Sequence, residues 1–309
     1  MGVFVFLPLV LPVTAWPVAR LAAGRLHPRT ATRLLTTVAA VMAACSTLCL
    51  ALLMVVGTAQ LPGNPLPDGW SDPEVRAAVP HDRIVGKAAI PALLLVAASC
   101  LRSLTGHYRL RRRAHAALAG LPPTGVAVLP DDRPYAYALP GGPRDRVVVT
   151  TALLDRLEPA ERRALFAHER AHLVGRHHRY LLAVRLAEHA NPFLRPLRTA
   201  VAYTMERWAD EEAAQIVGRR RTVARAIGKA ALSAALTPAG LGALAEPGPV
   251  PRRIAALLEP APTQHALPSV LTTAGLALWA AGAGTALSAM SSANSAVTLF
   301  LVLHAATPL

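Results

Sequence analysis

Residues 34–61 contain no charged side chain, although Arg33 stands immediately before them and Pro62-Gly63-Asn64-Pro65 closes them. As a helix rising 1.5 Å per residue, such a run exceeds the ~30 Å hydrocarbon core of a bilayer. A soluble domain has no place for it. Residues 3–19, 84–101 and 269–290 read as three further spans. The first lacks a basic segment ahead of its apolar run and a small-residue cleavage site, so it is expected to stay as a span and not to be removed as a signal peptide. A tail at 296–306 is apolar but follows the polar stretch Ser291-Ser292-Ala293-Asn294-Ser295. It is left open as a fifth short span, a re-entrant piece or an interfacial helix.

Charge sets the orientation. Mean hydropathy is +0.37, yet the net charge is +14, a pairing natural to membrane proteins with basic cytoplasmic segments. Segment 20–33 holds Arg20, Arg25, Arg29 and Arg33 and no acid, whereas 61–83 holds Asp68, Asp72, Glu74 and Asp82 against Arg76 and Arg83. Arg102, Arg109 and Arg111-Arg112-Arg113 follow the third span. The positive-inside rule puts 20–33 and 105–267 in the cytoplasm and 61–83 outside. The two basic segments are separated by two crossings, as their shared sidedness requires. The chain then divides into a three-span membrane domain (1–104), a cytoplasmic domain (105–267) and a C-terminal membrane segment (268–309).

Residues 105–267 carry ten more basic than acidic residues. Attraction to an anionic inner leaflet accounts for that excess. With no recognition-helix or aromatic-interleaved pattern, no direct nucleic-acid binding is expected. Cys45, Cys49 and Cys100 lie within apolar runs and imply no disulfide framework.

Inside the cytoplasmic stretch the patterns become globular. Tyr135-Ala136-Tyr137-Ala138-Leu139 alternates, Pro140-Gly141-Gly142-Pro143 is turn chemistry, and Arg146-Val147-Val148-Val149-Thr150-Thr151 reads as a strand, together a hairpin. Glu158-Pro159-Ala160-Glu161 opens a helix expected to run to about Arg176. On it, His168-Glu169-Arg170-Ala171-His172 places two imidazoles one turn apart on one face. That spacing lets His168 and His172 bind one zinc ion, while Glu169 beside the first ligand can take a proton from the attacking water. A catalytic zinc needs a third protein ligand. Glu206 on a second predicted helix can supply it, and Asp210, one turn further on, can fix a ligand imidazole's tautomer.

The strand at 147, the HExxH helix, Asn191-Pro192-Phe193 and Glu206-Arg207-Trp208-Ala209-Asp210-Glu211 together resemble the integral-membrane metallopeptidases of the BlaR/MecR signal-transducer family. The chain is more distantly similar to the HtpX and CaaX-prenyl-protease group. The resemblance implies one Zn²⁺ per chain held by His168, His172 and Glu206, with Glu169 as general base, Asp210 as the acid after the third ligand and Asn191-Pro192 as a turn between two helices. It implies an α-helical membrane protein with a mainly α (α+β) zincin-like metallopeptidase domain in the cytoplasm. The HtpX-like group usually places membrane helices between the HExxH helix and the third ligand. Here a short, charged connection joins them, which favours the BlaR/MecR side. The antibiotic sensors of that family carry a penicillin-binding domain after the last span; none is read in residues 1–309, so β-lactam sensing is not expected to carry over.

The expected activity is zinc-dependent endopeptidase action on a cytoplasmic or membrane-proximal protein, such as a transcriptional repressor, in regulated signalling at the cell membrane. The alternatives are a constitutive quality-control protease and a non-enzymatic sensor or scaffold. Val147, Val148 and Val149 are expected to hold the substrate as an added strand. Tyr203, His177, His178 and His189 are the candidates for stabilising the oxyanion.

Overall fold

In the computed structural model, residues 5–64, 66–77, 79–122, 124–141, 144–234, 249–262 and 272–307 are described. The first apolar stretch is broken by its own prolines. Leu7–Val10 (α1) gives way to a 3₁₀ turn at Leu11–Thr14, and Ala15–Arg25 (α2) completes it. Proline lacks the amide that would continue the ladder, so Pro8 and Pro12 each sit at the start of a new element. Pro28 then opens α3 (Pro28–Thr58), six residues before the charge-free run, which brings Arg29 and Arg33 onto the helix.

A short α4 (Pro73–Ala77) leads to α5 (Asp82–Ala117), which contains the expected third span and continues through Arg111-Arg112-Arg113. The boundary expected at residue 104 therefore falls inside one unbroken helix. Gly57 of α3 and Gly86 of α5 meet backbone to backbone, in a space that a Cβ on either would fill. Such contacts let helices approach closely where lipid offers no hydrophobic drive to associate.

The last helix corrects the reading of the C-terminus. α12 (Thr273–Ala305) runs without a break through Ser291-Ser292-Ala293-Asn294-Ser295, so 269–290 and 296–306 do not form separate membrane segments. Ser288, Ser292 and Ser295 are buried. The polar interruption is a small-residue packing face spaced at helical intervals, which hydropathy alone reads as a gap. Four helices among the described residues are long and apolar enough to cross a membrane: Leu7–Arg25, Pro28–Thr58, Asp82–Ala117 and Leu278–Ala305.

Among the described residues, three strands and six α-helices lie between α5 and α12. β1 (Val126–Leu129), β2 (Ala136–Leu139) and β3 (Arg146–Thr150) form a sheet of order β1-β3-β2, with β1 parallel and β2 antiparallel to β3. The expected hairpin is present, and β1 on the far side of β3 was not anticipated. Next come α6 (Thr151–Asp155), α7 (Pro159–Val174), α8 (His177–Ala190), α9 (Arg195–Val217), α10 (Arg220–Ala234) and α11 (Val250–Leu258).

The hairpin of α8 and α9 does more than link α7 to the segment carrying Glu206. Val184, Ala187, Leu194, Leu197 and Val201 share one apolar core with Ala22, Ala31, Leu35 and Met42 of α2 and α3. At the hairpin tip, Asn191 donates to Ser46 Oγ at 3.0 Å and caps the following turn by accepting from Phe193 N at 3.1 Å. Ser46 lies about 18 Å beyond residue 34 along α3 at 1.5 Å per residue. The connection that reads as merely short and charged thus runs alongside a candidate span to about its middle.

Candidate metal centre

α7 begins where sequence placed it. Glu158 caps it in a reciprocal box with Glu161, and Pro159 takes the first helical position. Glu161 is buried and meets Lys229 Nζ of α10 at 2.6 Å, which ties the start of α7 to its neighbour. Two turns later His168 and His172 project together, their Nε2 atoms 3.1 Å apart. Glu206 approaches from α9, with Oε2 at 3.4 Å from His168 Nε2 and Oε1 at 3.4 Å from His172 Nε2.

Three donors bonded tetrahedrally to zinc at ~2.0–2.1 Å would lie ~3.3–3.4 Å from one another. Two of the observed spacings, at 3.4 Å, match that geometry and the third, at 3.1 Å, lies slightly inside it, and the two imidazoles and one carboxylate are the donor types of a catalytic zinc site. Among the described residues, His168, His172 and Glu206 are the one group of metal-ligating side chains close enough to hold an ion. Residues 107–194 match the family model of peptidase family M48. The M48 match contains His168, Glu169 and His172 and ends before Glu206. A curated relative, a protease HtpX homolog of Moorella thermoacetica, is 45% identical over 62 residues, which is 20% of this chain and 21% of that protein. The chain thus spans about a fifth of the length of this curated relative. No solved structure matches the chain. These similarities fall on the HtpX side, the group that the motifs placed at greater distance.

Around His168, His172 and Glu206 lies a layer of supporting groups. His168 Nδ1 sits 3.0 Å from Asp210 Oδ1, the contact expected to fix its tautomer. Asp210 is fully buried and is itself held by Arg253 of α11, through Nε at 2.8 Å and Nη2 at 2.6 Å. Arg253 Nη1 also reaches Glu206 Oε2 at 2.9 Å. This arginine was missed, because the sequence shows it only as one of two adjacent arginines 47 positions after Glu206.

His177 supports the other imidazole, its Nδ1 lying 2.8 Å from His172 Nδ1. It packs on Trp208 at 4.5 Å between ring centroids. Gly175 leaves the space its ring occupies, and Arg176 makes the turn in the left-handed region at φ 52°. His177, an oxyanion candidate from sequence, stands behind His172 and also lines the cavity that holds Glu169.

Electrostatics separate the roles. Burial pushes the Glu169 carboxyl up to about 7, outweighing the lowering by His168 and by a hydrogen bond from the Ala138 backbone. Burial pushes His172 down to about 4. For His168 burial acts downward, but the carboxylates of Asp210 and Glu206 prevail and raise it. Burial would raise Glu206, yet His172, Arg253 and His168 hold it well below the usual carboxylate range.

The expected substrate strand needs correction. Val147, Val148 and Val149 lie in the middle strand, paired with β1 on one side and β2 on the other, and all three are buried. No peptide can add there, since both edges are already used. The strand beside the site is β2, whose Ala136, Tyr137, Ala138 and Leu139 line a cavity of about 120 Å³ with Glu169, His168 and Glu206. Of the other oxyanion candidates, His178 lines this cavity, while Tyr203 and His189 do not.

Proposed function

We propose that this chain is a membrane zinc endopeptidase that cuts a polypeptide laid along β2. The carrying observation is the triad of His168, His172 and Glu206 at zinc-compatible spacing, with Glu169 facing the same cavity. A zinc ion held by the triad would polarise the scissile carbonyl and acidify a water. Glu169, raised toward neutrality by burial, takes the proton of the attacking water and returns it to the leaving amine. Asp210 and His177 orient the two imidazoles, and Arg253 orients both Glu206 and Asp210. The basic loops and the four apolar helices support a cytoplasmic-facing site in the cell membrane.

The cleft also favours a regulated role over constitutive breakdown of many proteins. At about 120 Å³ the space beside Glu169 is smaller than the ~300–1,000 Å³ typical of ligand sites, which fits a cleft that widens before it takes a peptide. That latency suits a peptidase acting on one cytoplasmic partner, such as a transcriptional repressor, on receipt of a signal. Metal content and casein cleavage of the detergent-purified parent and Glu169→Gln test the central reading. Zinc in both with cleavage by the parent alone supports it, and a metal-free parent protein sinks it.

A further inference from the structure

A second concavity lies away from the metal site. α2, α9 and the start of α11 enclose a groove of about 440 Å³, lined by Arg20, Arg195, Arg252, Trp16, Tyr203 and small residues, none of its lining acidic. Arg20 lies over the Trp16 ring at 5.5 Å, and Arg252 lies over the Tyr203 ring at 4.5 Å. Stacking on aromatic faces holds guanidinium groups in place while leaving their N–H edges for an anion.

Contacts on α3 fix the depth of this groove. Thr204, next to Tyr203, meets Thr32 at 2.9 Å, and Arg29 and Arg33 lie over Trp208 at 5.3 and 5.7 Å. The charge-free part of α3 begins at residue 34, so Tyr203 and Arg252 sit at the edge of the apolar zone. From there the groove runs toward Trp16, which is 58% exposed, past Ala19, Ala23 and Ala200. Cationic groups at headgroup level above an apolar, aromatic wall match an amphiphile whose polar end is anionic. A free phosphate would use the arginines and gain nothing from the wall.

We propose that this groove binds an anionic phospholipid, its phosphate held by Arg20 and Arg252 and its acyl chains lying against the Trp16 end. The site is independent of the peptidase reading. Arg252 adjoins Arg253, so a lipid seated there also anchors α11, the helix that clamps Glu206 and Asp210.

Native mass spectrometry of the detergent-solubilised full chain tests this, with phosphatidylglycerol against phosphatidylcholine of the same acyl chains. The parent should retain phosphatidylglycerol selectively. Arg20→Ala with Arg252→Ala should weaken retention about thirtyfold, at about fivefold for each cationic side chain lost. Arg112→Ala with Arg113→Ala, which removes equal charge from exposed positions on α5, should leave retention intact. Thr199→Trp keeps every arginine but fills the groove, and should also expel the lipid. Equal retention of the two lipids, equal loss in the α5 variant, or unchanged retention in Thr199→Trp would each overturn the proposal. Displacement of the lipid by excess inorganic phosphate would also overturn it, reassigning the arginines to a small anion.

Discussion

Removing Arg253 tests whether the metal centre depends on a helix that contributes no ligand. The side chain is 5% exposed and makes three short contacts, two to Asp210 and one to Glu206. In Arg253→Met, Asp210 keeps only His168 as a partner among the described residues, in a fully buried position. Breaking a buried charge pair from one side costs about 3–5 kcal/mol, because the remaining charge has neither water nor counter-ion. With zinc bound, Glu206 has the ion as counter-charge, so the cost falls mainly on Asp210 and on the orientation of His168. Losing an outer-shell partner of that kind weakens metal affinity by about 10–100-fold. The assay is a zinc competition against a calibrated chelator, with thermal unfolding of the same detergent-solubilised samples. Asp210→Asn with Arg253→Met removes both charges, and its cost should fall short of the two single costs added together by about 1–3 kcal/mol. Zinc affinity within threefold of the parent in Arg253→Met, with unchanged unfolding, would refute the reasoning.

Glu169 is raised to about 7 and must be ionised to act as a base, so kcat/KM should rise with pH and level off above about 7. A profile flat from pH 5 to 8 would exclude it as the base. A carboxyl whose folded pKa lies above its unfolded value stabilises the fold below the unfolded value and loses that contribution as pH rises through the folded one. Metal-free Glu169→Gln should therefore unfold at a higher temperature than the parent at pH 8, by about 3 kcal/mol of stability, with little difference near pH 4, as measured by thermal melts. Ala138→Pro removes the β2 amide that faces Glu169, and should abolish cleavage while zinc stays bound. Val148→Pro breaks the middle strand and should cost both folding and zinc, read from metal content and circular dichroism. Replacing Gly57 with leucine forces α3 from α5 at their backbone contact, and should lower the melting temperature without changing the zinc stoichiometry of the folded fraction.

The donor residues were legible because a helix converts sequence spacing into spatial spacing: four positions apart means one face. His168 and His172 needed nothing more, and Glu206 with Asp210 repeated the same interval on another helix. The capping box and Pro159 likewise gave the start of α7 from local chemistry. What escaped notice was set by tertiary contact. Arg253 and Asp210 meet across 43 positions that include no repeating signal. β1 is too short and too isolated in sequence to announce a parallel partner, and without it β3 reads as an available edge. Ser288, Ser292 and Ser295 look like a polar gap until the neighbouring helices that cover them are known.

Hydropathy and charge divide the chain into membrane and cytoplasmic parts, whereas packing continues from one to the other, as α9 shows. One face of this helix carries Leu197 and Val201 into the core shared with α2 and α3, and Thr204 touches Thr32. Two residues beyond Thr204, the same helix presents Glu206 to the two histidines, and Asp210 follows one turn later. A helix is stiff over that distance, so α3 and the third ligand form one mechanical unit. Hydropathy divides at residue 104 a chain that packing joins through α5, α8 and α9.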